Sequence, residues 1–403
     1  MLRSMKMAAM AAGLILAATL GANAADSANV DDTARVLAGL SPQEGSPLGS
    51  LTREPAWQHH ARFLDSAFAQ LEQRQISRVR AWADTNLAAP KPTMFYFFSG
   101  PDFLYADAFY SKASTYVMAA LEPPGSMPDL ARMPRGSINS ALANIDHSLA
   151  SLMNFSFFIT KRMKADLHVG EISGALPLLL VFMERSGKSI RDVTPITLDE
   201  DGNVLTGSED ARARAPRGVR ILFAGKDGVE KTLYYFSTDL SNSGVKSSGF
   251  LKFCETLAPG NSLIKSASYL LHSGSFTKTR DFLLANSATI IQDDSGIPLG
   301  NYNPKKWRFF PFGRYAGPIS EFAGRYQQPY AELFRRAQPM DFGIGYRWRS
   351  HESNLLLAVR LGPDEAPSAD ATASTDEPPP PRPRPRRPRP PPEQRHGFFW
   401  FGR

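Results

Sequence analysis

Residues 94–121, MFYFFSGPDFLYADAFYSKASTYVMAAL, decide the fold of this chain. The aromatic run Met94–Phe98 predicts a buried strand, and the apolar run Thr115–Leu121 predicts a second one. Between the two runs, Ser99–Asp102 ends the first strand, and Phe103–Tyr110 predicts a short helix. A strand, a helix and a strand in this order predict a layered α/β core with some parallel pairing.

Segments further along the chain extend this core. Apolar residues between Ile138 and Met153 share one face of a predicted helix, and Leu176–Met183 predicts a fully buried strand. Two hairpins are expected where Asp201-Gly202 and Gly225–Gly228 each separate two apolar runs. Ala288–Gln292 then predicts another strand.

Three further helices and a final strand pair complete the predicted body. The helices are expected at residues 250–257, at residues 263–271 and from Ser275 to Asn286. Residues 342–349 alternate apolar side chains with Gly and Arg, which predicts a half-buried strand paired with residues 355–359. The predicted fold class is α/β, with a layered mixed sheet, flanking helices and appended antiparallel hairpins.

The N-terminal segment predicts export from the cytoplasm. Residues 1–24 combine a positive start, the apolar run Met7–Leu20 and small residues, the order found in secretory signal peptides. Cleavage is expected between Ala24 and Ala25. The apolar run is shorter than the roughly 20 residues that a transmembrane helix needs, and a retained N-terminal anchor is the alternative to cleavage. We therefore expect a periplasmic or secreted protein without a transmembrane segment after cleavage.

The rest of the chain divides by composition into three predicted parts. Residues 25–90 predict a helical N-terminal region, and residues 91–360 predict the α/β body. Residues 361–403 predict a disordered acidic linker followed by a Pro/Arg-rich tail with an aromatic end. The single cysteine, Cys254, has apolar neighbours, which predicts a buried and unreactive thiol.

The net charge of +7 belongs mainly to the tail. Residues 378–403 contain seven arginines and one glutamate, so the body is close to neutral and no nucleic-acid partner is expected. The prolines favour an extended segment that presents arginines to an anionic membrane surface or to an envelope protein. The alternatives are a solubilising tail without a partner and a tail folded back on the acidic linker at residues 363–377. The predicted surface-binding residues are Arg382, Arg384, Arg386, Arg387, Arg389, Phe398, Phe399, Trp400 and Phe401.

Aspartates follow several predicted strands, where α/β proteins place their sites. Asp102 follows the first strand, Asp239 follows the second hairpin, and Asp293 and Asp294 follow a later strand. Clustered carboxylates can act as acid and base or hold a hard cation. Each aspartate alone also fits an ordinary turn or cap. These four residues are therefore candidates for a catalytic site only if they meet in space.

His272 is the remaining catalytic candidate. It ends a predicted helix, where the helix dipole favours a protonated imidazole, and its spacing allows a pocket shared with Asp293. The chain lacks G-x-S-x-G, H-E-x-x-H and C-x-x-C motifs. Ser262–Lys265 and Ser275–Lys278 fit S-x-x-K, but the K-T-G of penicillin-recognising enzymes is missing. The sequence thus identifies no cofactor and no set of metal ligands.

Three segments resemble parts of exported bacterial proteins that carry no assigned activity: Tyr96–Asp102, Ser266–His272 and Ile291–Pro298. The resemblance covers most of residues 34–325 and excludes the tail. It implies a location outside the cytoplasm and carries no site residue over to this chain.

The sequence is compatible with three functions. The first is an exported protein that binds a ligand or an envelope component, with its basic tail on an anionic surface. The second is an extracytoplasmic, hydrolase-like enzyme that uses the strand-end aspartates and His272 around one cleft. The third is an assembly partner whose tail docks on another envelope protein. Convergence of the candidate residues within hydrogen-bond reach would favour the enzyme.

Overall fold

The structure is a computed structural model that describes residues 30–87, 89–155, 172–206 and 217–362. All of these residues belong to one unit, Met1–Pro367, and a second unit, Ser368–Arg403, lies outside them. The predicted signal peptide and the Pro/Arg-rich tail therefore also lie outside the described residues.

The described residues form a ten-stranded mixed sheet with the order β4-β3-β5-β6-β2-β1-β7-β8-β10-β9. The strands are β1 Thr93–Phe97, β2 Thr115–Ala120, β3 Ser189–Leu198, β4 Val204–Thr206, β5 Arg217–Ala224, β6 Glu230–Ser237, β7 Gly260–Ile264, β8 Ser287–Gln292, β9 Trp307–Gly313 and β10 Asn354–Arg360. The five central strands, from β6 to β8, pair in parallel. The outer strands pair antiparallel on both sides.

The order of the parallel strands creates a reversal between β1 and β7. The chain proceeds from β1 outward to β2 and β6, and then returns to the other side of β1 to form β7 and β8. In open α/β sheets such a reversal leaves a crevice at the carboxyl ends of the two strands, where ligands bind. The sheet order thus indicates where a site belongs before any side chain is considered.

Helices cover the sheet in two layers. They are α1 Pro55–Leu71, α2 Ser77–Asn86, α3 Phe103–Tyr110, α4 Arg135–Phe155, α5 Leu176–Arg185, α6 Phe250–Thr256, α7 Thr277–Asn286 and α8 Gln328–Leu333. Residues 30–37 are also helical, and a π-helical turn, Glu72–Ile76, joins α1 to α2. The helical N-terminal region and the helix from Pro55 onward agree with the sequence prediction.

Side chains of β1 alternate between two apolar cores, because successive strand residues point to opposite faces. Met94 and Tyr96 lie in the core formed with α1 to α5, whereas Phe95 and Phe97 lie in the core formed with α6 and α7. Every residue of β1 is buried. The sheet is therefore covered on both faces, as parallel strands require. The predicted α/β class, with a layered mixed sheet, flanking helices and antiparallel hairpins, is confirmed.

The predicted strand at Leu176–Met183 is wrong, because this segment is helix α5. Pro177 lies in the first turn of α5, a position that tolerates proline. All side chains from Leu176 to Met183 are buried, so the helix is apolar on every side and shows no 3.6-residue period. A short apolar run of this kind does not distinguish a strand from a buried helix.

The predicted strand at residues 342–349 is also wrong. β10 pairs instead with β9 and β8, and residues 342–349 form an irregular loop. Gly345 has a φ of +77°, so the backbone is not extended at this residue. The chain also folds back on itself here, because a Cβ at Gly343 would lie 1.5 Å from the Trp348 carbonyl oxygen. Phe342 and Ile344 are buried by this fold-back rather than by strand pairing.

The predicted helix at residues 263–271 is replaced by a strand and an irregular turn. Leu263 and Ile264 belong to β7, and Leu270–His272 forms a single 3₁₀ turn. The segment between them contains three residues with positive φ, namely Ser266, Ser268 and Tyr269. Left-handed backbone at these positions excludes a helix.

Two further observations agree with the sequence. Cys254 is fully buried, and burial raises the pKa of its thiol well above the ordinary value. Among the helices that the structure describes, none combines the length and the apolar character needed to cross a lipid bilayer.

Candidate functional site

Three neighbouring parallel strands end in ionisable residues at the same edge of the sheet. Asp102 lies beyond the end of β1, Lys265 directly follows β7, and Asp293 directly follows β8. Because β7 lies between β1 and β8, these three residues follow adjacent strands beside the reversal of strand order. The edge is therefore the candidate functional site of the described residues.

A buried ion pair joins the first two strand ends. Lys265 Nζ lies 2.6 Å from Asp102 Oδ2, and both side chains are only 2% exposed. The Tyr96 hydroxyl also donates to Asp102 Oδ2, at 2.8 Å, and the Tyr105 backbone N–H donates to Oδ1, which caps α3. Burial raises the pKa of the Asp102 carboxyl, while Lys265 and the hydrogen bonds partly oppose that rise.

Asp293 links the ends of β7 and β8. Its Oδ2 accepts a hydrogen bond from the Ser266 N–H at 3.0 Å, and its Oδ1 accepts from the N–H and hydroxyl of Ser295. Burial, followed by the neighbouring charge of Asp294, raises the pKa of Asp293 to about 7. A carboxyl with such a pKa exchanges its proton at neutral pH, as acid–base catalysis requires.

Asp294 connects the site to the antiparallel part of the sheet. The Tyr269 hydroxyl donates to its Oδ2 at 2.5 Å, and the Asn354 amide donates to its Oδ1 at 3.0 Å. Burial raises the pKa of the Asp294 carboxyl, and these two donors oppose the rise. Asp293 and Asp294 therefore face different partners although they are adjacent in sequence.

His272 lies at the outer side of the same network. Its ring packs edge-on against Tyr269, with ring centroids 5.1 Å apart. Burial, then the charges of Arg325 and Arg280, lowers the pKa of His272 to about 4, so the imidazole is neutral at pH 7. The expectation of a protonated imidazole at a helix end is wrong, because the helix is absent and two guanidinium groups are nearby.

Backbone strain is concentrated at the same edge. Among the described non-glycine residues, positive φ angles occur at Phe98, Ser266, Ser268 and Tyr269. Phe98 directly follows β1, and the other three follow β7. Such conformations cost about 1–3 kcal/mol each and concentrate at functional sites. The strain therefore marks the two strand ends that flank the reversal.

Asp239 has a local role in the structure. Its Oδ1 accepts a hydrogen bond from the Ser241 N–H at 2.8 Å, and its Oδ2 accepts from the Ser241 hydroxyl at 2.9 Å. These bonds form an exposed turn after β6, the ordinary chemistry of aspartate before serine. The structure thus brings Asp102, Asp293, Asp294 and His272 into one connected region and leaves Asp239 in its own turn.

The sequence analysis missed Lys265, Tyr96 and Tyr269. Lys265 was placed inside a predicted helix, although its position directly after an apolar run was the signal that could have identified it. The S-x-x-K interpretation of Ser262–Lys265 does not hold, because Ser262 lies within β7 and its hydroxyl contacts that of Ser287 at 2.7 Å. Residues three apart on a strand point to opposite faces.

The ionisable groups of the site differ in their charge at neutral pH. Among the described residues, no group of three or more His, Cys, Asp or Glu side chains is arranged to hold a metal ion. Lys265 supplies a buried positive charge, Asp293 a carboxyl that titrates near neutral pH, and His272 a neutral imidazole. Together these groups can accept and return a proton beside a fixed positive charge.

Comparison with protein-family models, with curated proteins and with solved structures finds no match to this chain in any of the three.

Proposed function

We propose that this protein is a hydrolase-like enzyme whose reaction centre lies at the carboxyl ends of β1, β7 and β8. The observation that supports this proposal is the connected path Asp102–Lys265–Ser266–Asp293 at the reversal of strand order. Four of the five catalytic candidates from the sequence lie in or beside this network. Their convergence is the condition under which acid–base chemistry becomes the better interpretation.

In the proposed reaction, His272 and Asp293 have separate roles. The neutral His272 imidazole accepts a proton from an attacking water or hydroxyl, since its Nε2 has no hydrogen-bond partner among the described residues. As the water oxygen bonds to the scissile centre of the substrate, Asp293 in its protonated form gives its proton to the leaving oxygen, whose bond breaks. Lys265, held between Asp102 and the Tyr105 ring, keeps a positive charge at the strand ends that stabilises developing negative charge.

Turnover of chromogenic esters, phosphate monoesters and glycosides by the purified mature chain tests this proposal. We expect one of these classes to be hydrolysed, and we expect His272→Gln and Asp293→Asn each to lower kcat/KM by about 100-fold or more. Asp239→Asn is the matched control, because that carboxylate serves its own turn. Absence of turnover for all three classes, or equal rates in the folded variants, would contradict the enzyme.

A second candidate function is ligand binding without catalysis. It is supported by the hydrogen bonds that already occupy the site carboxylates. Each carboxylate oxygen of Asp102, Asp293 and Asp294 already accepts a hydrogen bond from the protein. Such a network holds a rigid site without requiring any proton transfer. A ligand that raises the melting temperature of the protein but is not consumed would favour this function.

We also propose that the protein acts outside the cytoplasm, after cleavage between Ala24 and Ala25, and that its tail contacts an anionic membrane surface or an envelope protein. The support is the signal-like start and the arginines and aromatic residues of residues 378–403. Deleting residues 378–403 should abolish salt-sensitive binding to vesicles that contain phosphatidylglycerol and leave the melting temperature unchanged. Equal vesicle binding by the truncated protein would remove the membrane contact.

A further inference from the structure

Three buried polar atoms near the candidate site have no hydrogen-bond partner among the described residues. They are Ser266 Oγ, His272 Nε2 and Arg280 Nε. All three belong to the stretch between β7 and the first turns of α7. Buried polar atoms are normally paired with protein groups, water or a bound molecule. Their grouping in one stretch therefore points to a missing partner that offers both donors and acceptors.

Two guanidinium groups, Arg280 and Arg325, act on the imidazole of His272. Arg280, on α7, donates from Nη1 to the carbonyl oxygen of Leu271 at 3.1 Å, which places it beside His272. Arg325 ends the 3₁₀ segment Ser320–Arg325, whose Phe322 packs 4.9 Å from Tyr269, the ring that contacts His272. Positive groups from two separate elements thus act on the imidazole.

Arg280 is paired only loosely with a carboxylate. Asp281 Oδ1 lies 3.8 Å from Arg280 Nε, beyond hydrogen-bond length, and its side chain is 70% exposed. Arg325 and Arg280 both lower the pKa of His272, although burial contributes most. An added anion would offset both guanidinium charges.

We propose that the substrate carries an oxyanion group, a phosphate or a carboxylate, that binds between Arg280 and Arg325 beside His272 and Ser266. Guanidinium groups bind such oxygens with paired, charge-assisted hydrogen bonds. The Ser266 hydroxyl, which has no partner among the described residues, is a further donor in the same stretch of the chain. This inference rests on the proposed function and names its substrate class.

Binding of the oxyanion changes the catalytic competence of His272. A negative charge beside the imidazole favours its protonated form and raises its pKa toward neutral pH. A base whose pKa approaches the working pH transfers protons more effectively. The substrate therefore activates the base that acts on it, and His272 in the unoccupied site stays neutral and weakly basic.

The test is a titration of His272 by NMR on the full mature chain, with sodium phosphate, sodium acetate or sodium chloride at equal ionic strength. His272→Gln identifies the resonance by its loss. Saturating phosphate or acetate should raise the pKa of His272 by about 1 or more relative to chloride. In Arg325→Gln, the pKa should start higher, because a positive neighbour is gone, and the anion-dependent rise should shrink.

Two further variants make the result decisive. Arg280→Gln should reduce the anion-dependent rise in the pKa of His272 as Arg325→Gln does. The test therefore needs only one of the two variants to fold. Arg62→Gln, an exposed arginine on α1, should behave like the parent chain. A response to phosphate alone identifies a phosphoryl substrate, and a response to acetate alone identifies a carboxylate. The oxyanion site would be overturned if phosphate and acetate left the pKa of His272 at its value in chloride. It would also be overturned if the full rise persisted in both Arg280→Gln and Arg325→Gln.

The same experiment is independent of turnover. If the anion response is present and no ester, phosphate or glycoside is hydrolysed, the oxyanion site stands and the enzyme proposal fails. If turnover depends on His272 and the anion response is absent, the enzyme stands and this inference fails.

Discussion

Burial controls the protonation of individual residues in this molecule more than ion pairing does. Asp102 has a lysine 2.6 Å away, yet burial still raises the pKa of its carboxyl. His272 is neutral because burial and two arginines disfavour its charged form. Charge states at these positions therefore follow from three-dimensional packing, which local sequence does not show.

Glu184 offers a residue-scale test of this effect. Its side chain is 2% exposed on α5, and burial, followed by the charge of Asp31, raises its pKa to about 9. At pH values between the ordinary pKa of a glutamate and about 9, Glu184 keeps its proton in the folded state and releases it in the unfolded state. This group's contribution to stability is therefore complete at low pH and is lost as pH rises through that window. The variant Glu184→Gln should remove this loss.

We expect the free energy of unfolding of Glu184→Gln, relative to the parent chain, to rise between pH 5 and pH 9. The slope should be at most about 1.4 kcal/mol per pH unit, the limit for one proton. Urea unfolding at a series of pH values measures it. Glu44→Gln, at an exposed position, is the control and should show no such trend. A parallel pH profile for Glu184→Gln and the parent chain would contradict an elevated pKa.

At the scale of elements, hairpins and strands with local turn signals were predictable. The hairpin β3–β4 turns at Asp201-Gly202, and the hairpin β5–β6 turns at Gly225–Gly228, because each turn is encoded by a few adjacent residues. Helix α5 and residues 342–349 were not predictable, because their burial depends on distant segments. Side-chain period alone does not reveal which neighbour covers an apolar run.

The candidate site was partly predictable for the same reason. Strand-end aspartates follow from the general location of sites in α/β sheets, so Asp102, Asp293 and Asp294 were identified. Lys265 directly follows an apolar run, but a helix was predicted across it, because the positive φ angles after β7 carry no sequence signal in residues such as Ser266 and Tyr269. Asp239 shared the strand-end pattern, yet its hydrogen bonds are local. Sequence pattern thus located the edge of the sheet and not its complete set of residues.

The loop at residues 342–349 provides an element-scale test. Gly345 has a φ of +77°, and a Cβ there would lie 2.0 Å from Asp293 Oδ2. Gly345→Ala should therefore destabilise the protein by more than about 1 kcal/mol, since the left-handed backbone alone costs about that much. Gly324→Ala is the matched control, because nothing lies within 4 Å of a Cβ at that position. Similar urea midpoints for both variants would contradict the close packing of this loop on Asp293.

At the scale of the whole molecule, the helical N-terminal region shares its core with the sheet. The Trp82 ring lies 5.8 Å from that of Phe109 and 5.0 Å from that of Phe312. His60 is buried between Asp146 Oδ1, at 2.6 Å, and the Leu37 carbonyl oxygen, at 2.8 Å. These contacts connect the first helices to the middle and the end of the described chain.

Removing residues 25–90 should therefore expose one face of the sheet. We expect the remaining chain to lose its cooperative thermal transition and to bind a hydrophobic dye, because a sheet of parallel strands needs cover on both faces. Differential scanning calorimetry of the truncated and parent chains measures the effect. A cooperative transition at the parent melting temperature would show that residues 91–360 fold without the N-terminal helices.

The proposed site requires the ends of β1 and β7 to meet at Asp102 and Lys265. A double-mutant cycle with Asp102→Asn, Lys265→Met and the double variant, followed by urea unfolding, tests this contact directly. Each single variant should cost about 3–5 kcal/mol, because it leaves a buried charge without its partner. The double variant should lose less free energy of unfolding than the two single variants combined, by more than about 0.5 kcal/mol. Additive costs within that margin would contradict the site.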